Sequence, residues 1–174
     1  VLNRGEKDSK EGYGRICADA AVEAAAMIYL VRTSVSETFG SNPGDKKVWA
    51  RQVSLSGGNE YEFSLTVPSG ADYDLYLYSG SSDVYGQPVI VAKSVNFTQG
   101  TVEAIRYTPT SSGSYYIVAK WVGGNGEFTL QSTVKIPGDA NGDAVVDATD
   151  LLLLNQAYGS VLGSSNWNVN CDFN

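Results

Sequence analysis

The stretch between residues 48 and 134 most limits the possible folds, because apolar and polar residues alternate in short runs. In residues 61–67, YEFSLTV, every second residue is aromatic or aliphatic and those between are polar. A period of two predicts a strand with one buried face. Further strands are predicted at residues 74–78, 88–94, 103–108, 114–122 and 127–134.

Glycine-containing turn sequences separate these strands, as in SGGN at residues 56–59 and GGNG at residues 123–126. Their spacing fits an antiparallel sandwich. We therefore expect a mainly β protein, an antiparallel, jelly-roll-like β-sandwich. A helix should precede it, and an EF-hand-like calcium loop and helix should follow.

The chain divides into three predicted units. Residues 16–32, ICADAAVEAAAMIYLVR, are rich in helix formers and lack Gly and Pro, which predicts one long helix. The turn-rich stretch at residues 39–47 predicts a linker, and the composition changes again after residue 137. The units are 1–40, helix and linker; 41–137, the sandwich; and 138–174, an Asp-rich loop with a short helix.

Composition excludes several classes of function. The net charge is -7, with 12 basic and 19 acidic residues. The sequence has no cluster of basic residues interleaved with aromatics, so nucleic acid is not an expected partner. The chain has no histidine, so it cannot assemble a Ser-His-Asp or Cys-His centre, and we expect that it is not an enzyme. No apolar run near the N-terminus reaches the ~20 residues that span a bilayer. An export signal, if present, is expected upstream.

The segment from Asp139 to Asp150 predicts a calcium site. Oxygen-bearing side chains recur at loop positions 1, 3, 5, 9 and 12, and position 7 offers a backbone carbonyl, as in an EF-hand loop. Ala144 stands where that pattern has Gly, and the last ligand is Asp instead of Glu. The alternative is a solvated, Asx-rich turn without metal. The predicted ligands are Asp139, Asn141, Asp143, Val145, Asp147 and Asp150.

The sequence GDANGDAVVDATDLLLLNQAYGS resembles the first repeat of a type I dockerin, and a second loop begins at residues 172–174. The resemblance implies that a cohesin module is the partner and that Ala148 and Thr149 face it. Four adjacent leucines, residues 151–154, cannot share one helical stripe, so some must meet a surface other than the sandwich.

Residues 45–134 are similar to the bacterial pre-peptidase C-terminal domain, most specifically through DYDLYL at residues 72–77. Tyr76 and Tyr78 are predicted on the face opposite the neighbouring leucines, where they either stack on a carbohydrate or protein substrate or are ordinary strand residues. Asp72 and Asp74 either hold a second calcium with Asp83 or Asn59 or accept backbone hydrogen bonds.

Residues 12–25, GYGRICADAAVEAA, look like the closing segment of a subtilisin-type serine peptidase, whose catalytic motifs are missing. This resemblance implies a secreted or cell-surface parent protein. Cys17 and Cys171 either form a disulfide or are two unrelated thiols.

Two functions follow from these observations. The first is an attachment module, in which calcium orders the loop and the helix binds a cohesin-type protein. The second is a carbohydrate- or protein-substrate-binding sandwich in which calcium is purely structural.

Overall fold

The computed structural model describes residues 18–171, in which eight strands form two four-stranded antiparallel sheets. The strands are β1 (Ser34–Phe39), β2 (Val48–Leu55), β3 (Glu60–Thr66), β4 (Asp72–Ser82), β5 (Pro88–Ser94), β6 (Glu103–Tyr107), β7 (Gly113–Gly123) and β8 (Gly126–Lys135). One sheet has the order β1-β8-β3-β6 and the other β2-β7-β4-β5. This is a jelly-roll arrangement, as predicted.

The core lies between the two sheets. Most strands contribute alternate residues to it, and β3 alternates between buried and more exposed positions along its whole length. Aromatic rings meet across the sandwich: the ring centroids of Phe39 and Tyr73 are 5.1 Å apart, and those of Trp49 and Phe128 are 6.2 Å apart. Large interlocked rings of this kind dominate the energetics of a core.

The six predicted strands correspond to β3 through β8. β1 and β2 have no counterpart among them, and β1 lies within the unit predicted as helix and linker. Because β1 pairs with β8 along its whole length, the sandwich begins before the predicted boundary at residue 41. The predicted linker is the connection between β1 and β2.

Helix α1 (Ala18–Ala26) ends well before residue 32, so the predicted helix is too long. The first two residues of that prediction lie outside the described residues. After α1 the chain runs alongside β2, where the Tyr29 amide donates to the Gln52 carbonyl at 2.7 Å. Tyr29 is only 4% exposed, and burial of this ring in the core outweighs the helix propensity of its neighbours.

Helix α2 (Ala148–Ala157) follows the Asp-rich loop. Asp147 begins it with a capping box, in which its carboxylate accepts the Thr149 amide and the Asp150 carboxylate accepts the Asp147 amide. A short 3-10 helix, Val169–Cys171, contacts α2. Cys17, which either pairs with Cys171 or is an unrelated thiol, lies outside the described residues.

None of the helices described between residues 18 and 171 is long and apolar enough to cross a membrane.

Candidate cation-binding loop and the outer face of the sandwich

The Asp-rich loop winds around the carboxylate of its first residue. Asp139 is buried, and its two oxygens accept the amides of Gly142 at 2.6 Å and Ala144 at 2.8 Å. Ala144 adopts a φ of 77°, in the left-handed region that non-glycine residues seldom enter. The sixth loop position therefore makes the sharp turn that glycine makes in EF-hand loops, at an energetic cost.

The last residue of the loop closes it. Asp150 is 3% exposed, and its oxygens accept the amides of Asp147 at 2.7 Å, Ala140 at 2.7 Å and Asn141 at 3.2 Å. The hydrogen bond from the Asp147 amide, followed in effect by those from Asn141 and Ala140, holds the pKa of Asp150 below its ordinary value. The carboxylate is therefore ionised at neutral pH.

The remaining predicted ligands lie at the surface. Asn141, Asp143 and Asp147 are exposed, as is Val145. The Asp143 amide donates to Asn141 Oδ1 at 2.9 Å, and the Asn141 side-chain amide donates to Asp143 Oδ2 at 2.8 Å. These groups lie along one continuous turn, with the buried carboxylates at its two ends.

This donor set fits a hard cation. Four carboxylates, one carboxamide and one carbonyl lie within twelve residues, and Ca²⁺ takes six to eight oxygens. A carboxylate has about four acceptor positions, so the amide contacts leave capacity at both buried ends. Within residues 18–171, no three His, Cys, Asp or Glu side chains already converge on one point. A bound cation would therefore draw the outer ligands inward.

Helix α2 presents a partly apolar surface next to the loop. Ala148 and Thr149, the predicted partner-facing residues, are exposed. Leu151 is 66% exposed and Leu152 is 56% exposed, whereas the two following leucines are half-buried. The expectation that the leucines do not share one packed stripe is therefore confirmed.

The tyrosine face of the sandwich is covered by α1. Leu75 and Leu77 point into the core, and Tyr76 and Tyr78 lie on the opposite face, as predicted. Tyr76 is nevertheless 0% exposed, which disfavours the alternative that it stacks on a ligand. Ala20 of α1 packs in the same apolar cluster as Tyr76, which explains its burial.

Ion pairs hold α1 in this position. The Glu23 carboxylate contacts Lys46 Nζ at 2.7 Å and Arg51 Nη1 at 2.6 Å. Partial burial would raise the pKa of Glu23, but the hydrogen bonds from Lys46 and Arg51 outweigh burial and lower it. These ion pairs and the packing of Ala20 hold α1 on the outer face of the sandwich.

Lys120 lies over the two tyrosines. Its Nζ is 4.5 Å from the Tyr76 ring centroid and donates to the Tyr78 hydroxyl at 3.2 Å. Burial lowers the pKa of Lys120, opposed in part by the charge of Asp74. Sequence reasoning did not single out this residue, since β4 and β7 are far apart along the chain.

Tyr78 provides a test of this packing at alkaline pH. Burial raises the pKa of Tyr78 to about 12, whereas the pKa of a tyrosine in an unfolded chain is about 10. The stability from this difference is complete below about pH 10 and is lost as the pH rises through the folded-state pKa. We expect Tyr78→Phe to weaken the alkaline fall in stability, measured by urea unfolding at a series of pH values.

Tyr85→Phe is the matched control, because the Tyr85 side chain is exposed at the β4–β5 turn. The same alkaline slope in both variants and the parent protein would contradict the burial of Tyr78.

An open groove of about 480 Å³ lies between α1 and the outer face of β4 and β7. Tyr78 and Tyr116 line it, together with small residues of α1 and β4. Of the two tyrosines predicted to meet a ligand, only Tyr78 borders this groove.

Two of the carboxylates for which the sequence left open a second calcium or hydrogen bonding make hydrogen bonds within the sandwich. Asp74 is buried and accepts the Tyr76 hydroxyl at 3.1 Å. Asp83 accepts the amides of Tyr85 and Gln87 within its own turn. These contacts favour the hydrogen-bonding alternative for the carboxylates on this side of the sandwich.

Comparison with known proteins gives structural likenesses of low identity. A pre-peptidase C-terminal domain of collagenase from Bacillus anthracis is 14% identical, with a TM-score of 0.47, and the match covers 62% of this chain and 93% of that one. The surface-associated copper-binding protein CorA of Methylomicrobium album BG8 is 11% identical, with a TM-score of 0.42 and coverage of 62% and 98%. PliG of Salmonella Typhimurium, a periplasmic inhibitor of g-type lysozyme, is 16% identical, with a TM-score of 0.39 and coverage of 63% and 99%.

No protein-family model and no curated protein sequence matches the chain. The collagenase domain bears the name of the family that residues 45–134 resemble. The resemblances to a subtilisin-type peptidase and to a dockerin stay predictions.

Proposed function

We propose that this chain is a non-catalytic accessory and attachment module of a secreted protein, in which calcium orders the Asp-rich loop. The sandwich forms the stable body of the module. The loop and α2 carry the contact with a partner protein.

The winding of the loop around two buried carboxylates is the observation that carries the proposal. Asp139 and Asp150 are buried at its ends although each is acidic, and an ionised buried group needs compensation by hydrogen bonds or an opposite charge. The left-handed conformation of Ala144 brings intervening oxygen donors to the same turn. A divalent cation would offset the mutual repulsion of the four carboxylates.

Attachment through α2 is supported by the surface next to this loop. Ala148, Thr149, Leu151 and Leu152 are all exposed, and apolar residues grouped on a surface favour protein contact. The dockerin resemblance suggests a cohesin-type module as the partner and a secreted peptidase as the parent protein. Calcium would act by fixing the capped N-terminus of α2, where Asp147 and Asp150 belong to both the loop and the helix.

Thermal unfolding with calcium and with excess chelator tests the calcium site. Binding to the native state alone stabilises it by mass action, by about 1.4 kcal/mol when free calcium is roughly ten times Kd. We expect calcium to raise the Tm of the parent protein and to leave the Tm of Asp139→Asn nearly unchanged, because the variant loses a charged ligand. The variant keeps one acceptor oxygen for the backbone amides of the loop.

Glu62→Gln is the control, since it also removes one negative charge but lies in an exposed pair with Arg106. An equal calcium shift in Asp139→Asn and Glu62→Gln would place any bound calcium elsewhere. Pull-down of a purified cohesin module, with and without chelator, then tests the proposed attachment.

The groove beside Tyr78 favours a second candidate function, the binding of a carbohydrate or protein substrate by the sandwich. Pockets of this size accept small ligands. This function predicts binding that persists in chelator and in Asp139→Asn, whereas attachment through the loop and α2 predicts binding that requires calcium.

A further inference from the structure

One basic side chain reaches the first residue of the Asp-rich loop from the sandwich. Arg32 Nη2 lies 3.5 Å from Asp139 Oδ2. The Asp139 side chain is almost completely buried and that of Arg32 is one-third exposed. The same carboxylate oxygen accepts the Ala144 amide, so a cation from outside the loop contacts the atom that also shapes its turn.

The fold places Arg32 at this point. β1 and β8 are antiparallel, with Ser34 opposite Gln131, so the residues preceding β1 lie beside those following β8. The Arg32 amide donates to Ser132 Oγ at 3.0 Å, and the Ser132 hydroxyl in turn contacts the Tyr29 hydroxyl at 3.1 Å. The turn that carries Arg32 is therefore tied to the end of β8, from which the loop emerges.

The backbone at Arg32 is strained in the same sense as at Ala144. Its φ is 65°, a conformation that a non-glycine residue seldom adopts. The hydrogen bond from the Arg32 amide to Ser132 stabilises this conformation. The Arg32 side chain then reaches the loop at Asp139.

The positive charge of Arg32 affects the stability of the Asp-rich loop. The twelve residues of the loop contain four aspartates and no basic residue, so the calcium-free loop suffers like-charge repulsion that a nearby guanidinium reduces. A divalent ion bound by the same residues would supply that compensation itself. Arg32 and calcium would then repel one another and compete for the Asp139 carboxylate.

We infer that Arg32 is a built-in counter-cation, which stabilises the calcium-free loop against the sandwich and lowers its affinity for calcium by competing for Asp139. This inference rests on the proposed calcium site. It assigns to the sandwich a direct influence on the loop: Arg32 holds the loop when calcium is absent and releases Asp139 when calcium binds.

Calcium titration by isothermal calorimetry tests the inference with three proteins: the parent, Arg32→Gln and Arg106→Gln. Gln preserves the backbone amide that binds Ser132 and removes the charge. Arg106→Gln removes the same charge from the exposed pair with Glu62. We expect Arg32→Gln to bind calcium about fivefold more tightly, the upper range for a partly exposed ion pair, and Arg106→Gln to match the parent protein.

A second measurement uses the parent protein alone, in case Arg32→Gln folds poorly. The Arg32 guanidinium protons, followed by NMR, should exchange faster with solvent after calcium is added, because the contact with Asp139 is released. An unchanged exchange rate at saturating calcium would overturn the competition.

The outcomes separate the two proposals. Equal calcium affinity in all three proteins overturns the role of Arg32 and leaves the calcium site standing. Calcium binding by none of them overturns the site itself, and the role of Arg32 with it. Tighter binding by both variants means that net charge alone sets the affinity, which also contradicts a specific role for Arg32.

Discussion

Replacing Tyr29 with alanine is expected to lower the free energy of unfolding by about 3–5 kcal/mol, the range for large buried aromatic side chains. The Tyr29 ring lies against Trp49 and Phe63, and its hydroxyl donates to the Thr33 carbonyl at 2.7 Å and accepts from the Ser132 hydroxyl at 3.1 Å. The substitution leaves a cavity in the core and removes both hydrogen bonds. Urea unfolding of the purified variant measures the loss.

Two variants divide this effect into its parts. Tyr29→Phe keeps the ring and removes the hydroxyl, so it should cost only about 1 kcal/mol. Ile28→Ala changes the preceding side chain, which is exposed, and should stay within about 0.5 kcal/mol of the parent. If Tyr29→Ala costs no more than Ile28→Ala, the segment after α1 does not belong to the folded core.

Tyr29 also shows why the N-terminal helix was predicted too long. Residues 16–32 contain no Gly or Pro, so nothing local ends the helix. It ends because Tyr29 enters a core made by strands that follow much later in the chain, and because the backbone there pairs with β2. Tertiary contacts of this kind override the helix propensity of the local sequence.

The strands differ in how plainly the sequence indicates them. β3 has one buried face and its alternation is clear, whereas β2 is buried at three consecutive positions, Trp49 to Arg51. The inner face of β2 meets the core and its outer face meets α1. A strand covered on both sides loses the period of two, so β2 could not be recognised by alternation.

At the candidate site too, some residues lie close together in the sequence and others are brought together only by the fold. All predicted ligands of the Asp-rich loop lie within residues 139–150, so the spacing alone was enough to predict them. Arg32 reaches the loop only through the pairing of β1 with β8. Likewise, alternation placed Tyr76 on the correct face of β4, but its burial depends on α1. Residues brought together by topology leave no local pattern.

Gly124→Ala is expected to destabilise the protein by about 2–5 kcal/mol, combining a left-handed backbone cost with overpacking. The φ of Gly124 is 73°, and an added Cβ would lie 2.4 Å from the Gly70 carbonyl oxygen and 2.5 Å from Ala71 Cα. Both atoms belong to backbone, so the clash cannot be relieved by a change of rotamer. The Gly124 carbonyl also accepts the Trp121 indole N–H at 2.6 Å, which further restricts movement of the turn.

Gly58→Ala isolates the conformational part of this cost. The φ of Gly58 is 83°, but an added Cβ would meet nothing within 4 Å, so only the backbone cost of about 1–2 kcal/mol applies. Urea unfolding should therefore rank the parent protein above Gly58→Ala and Gly58→Ala above Gly124→Ala. Equal losses would mean that the turns at Gly70 and Gly124 do not touch. Both glycines stand in similar turn sequences, and only the approach of the two turns, which depends on the pairing of β4 with β7, distinguishes them.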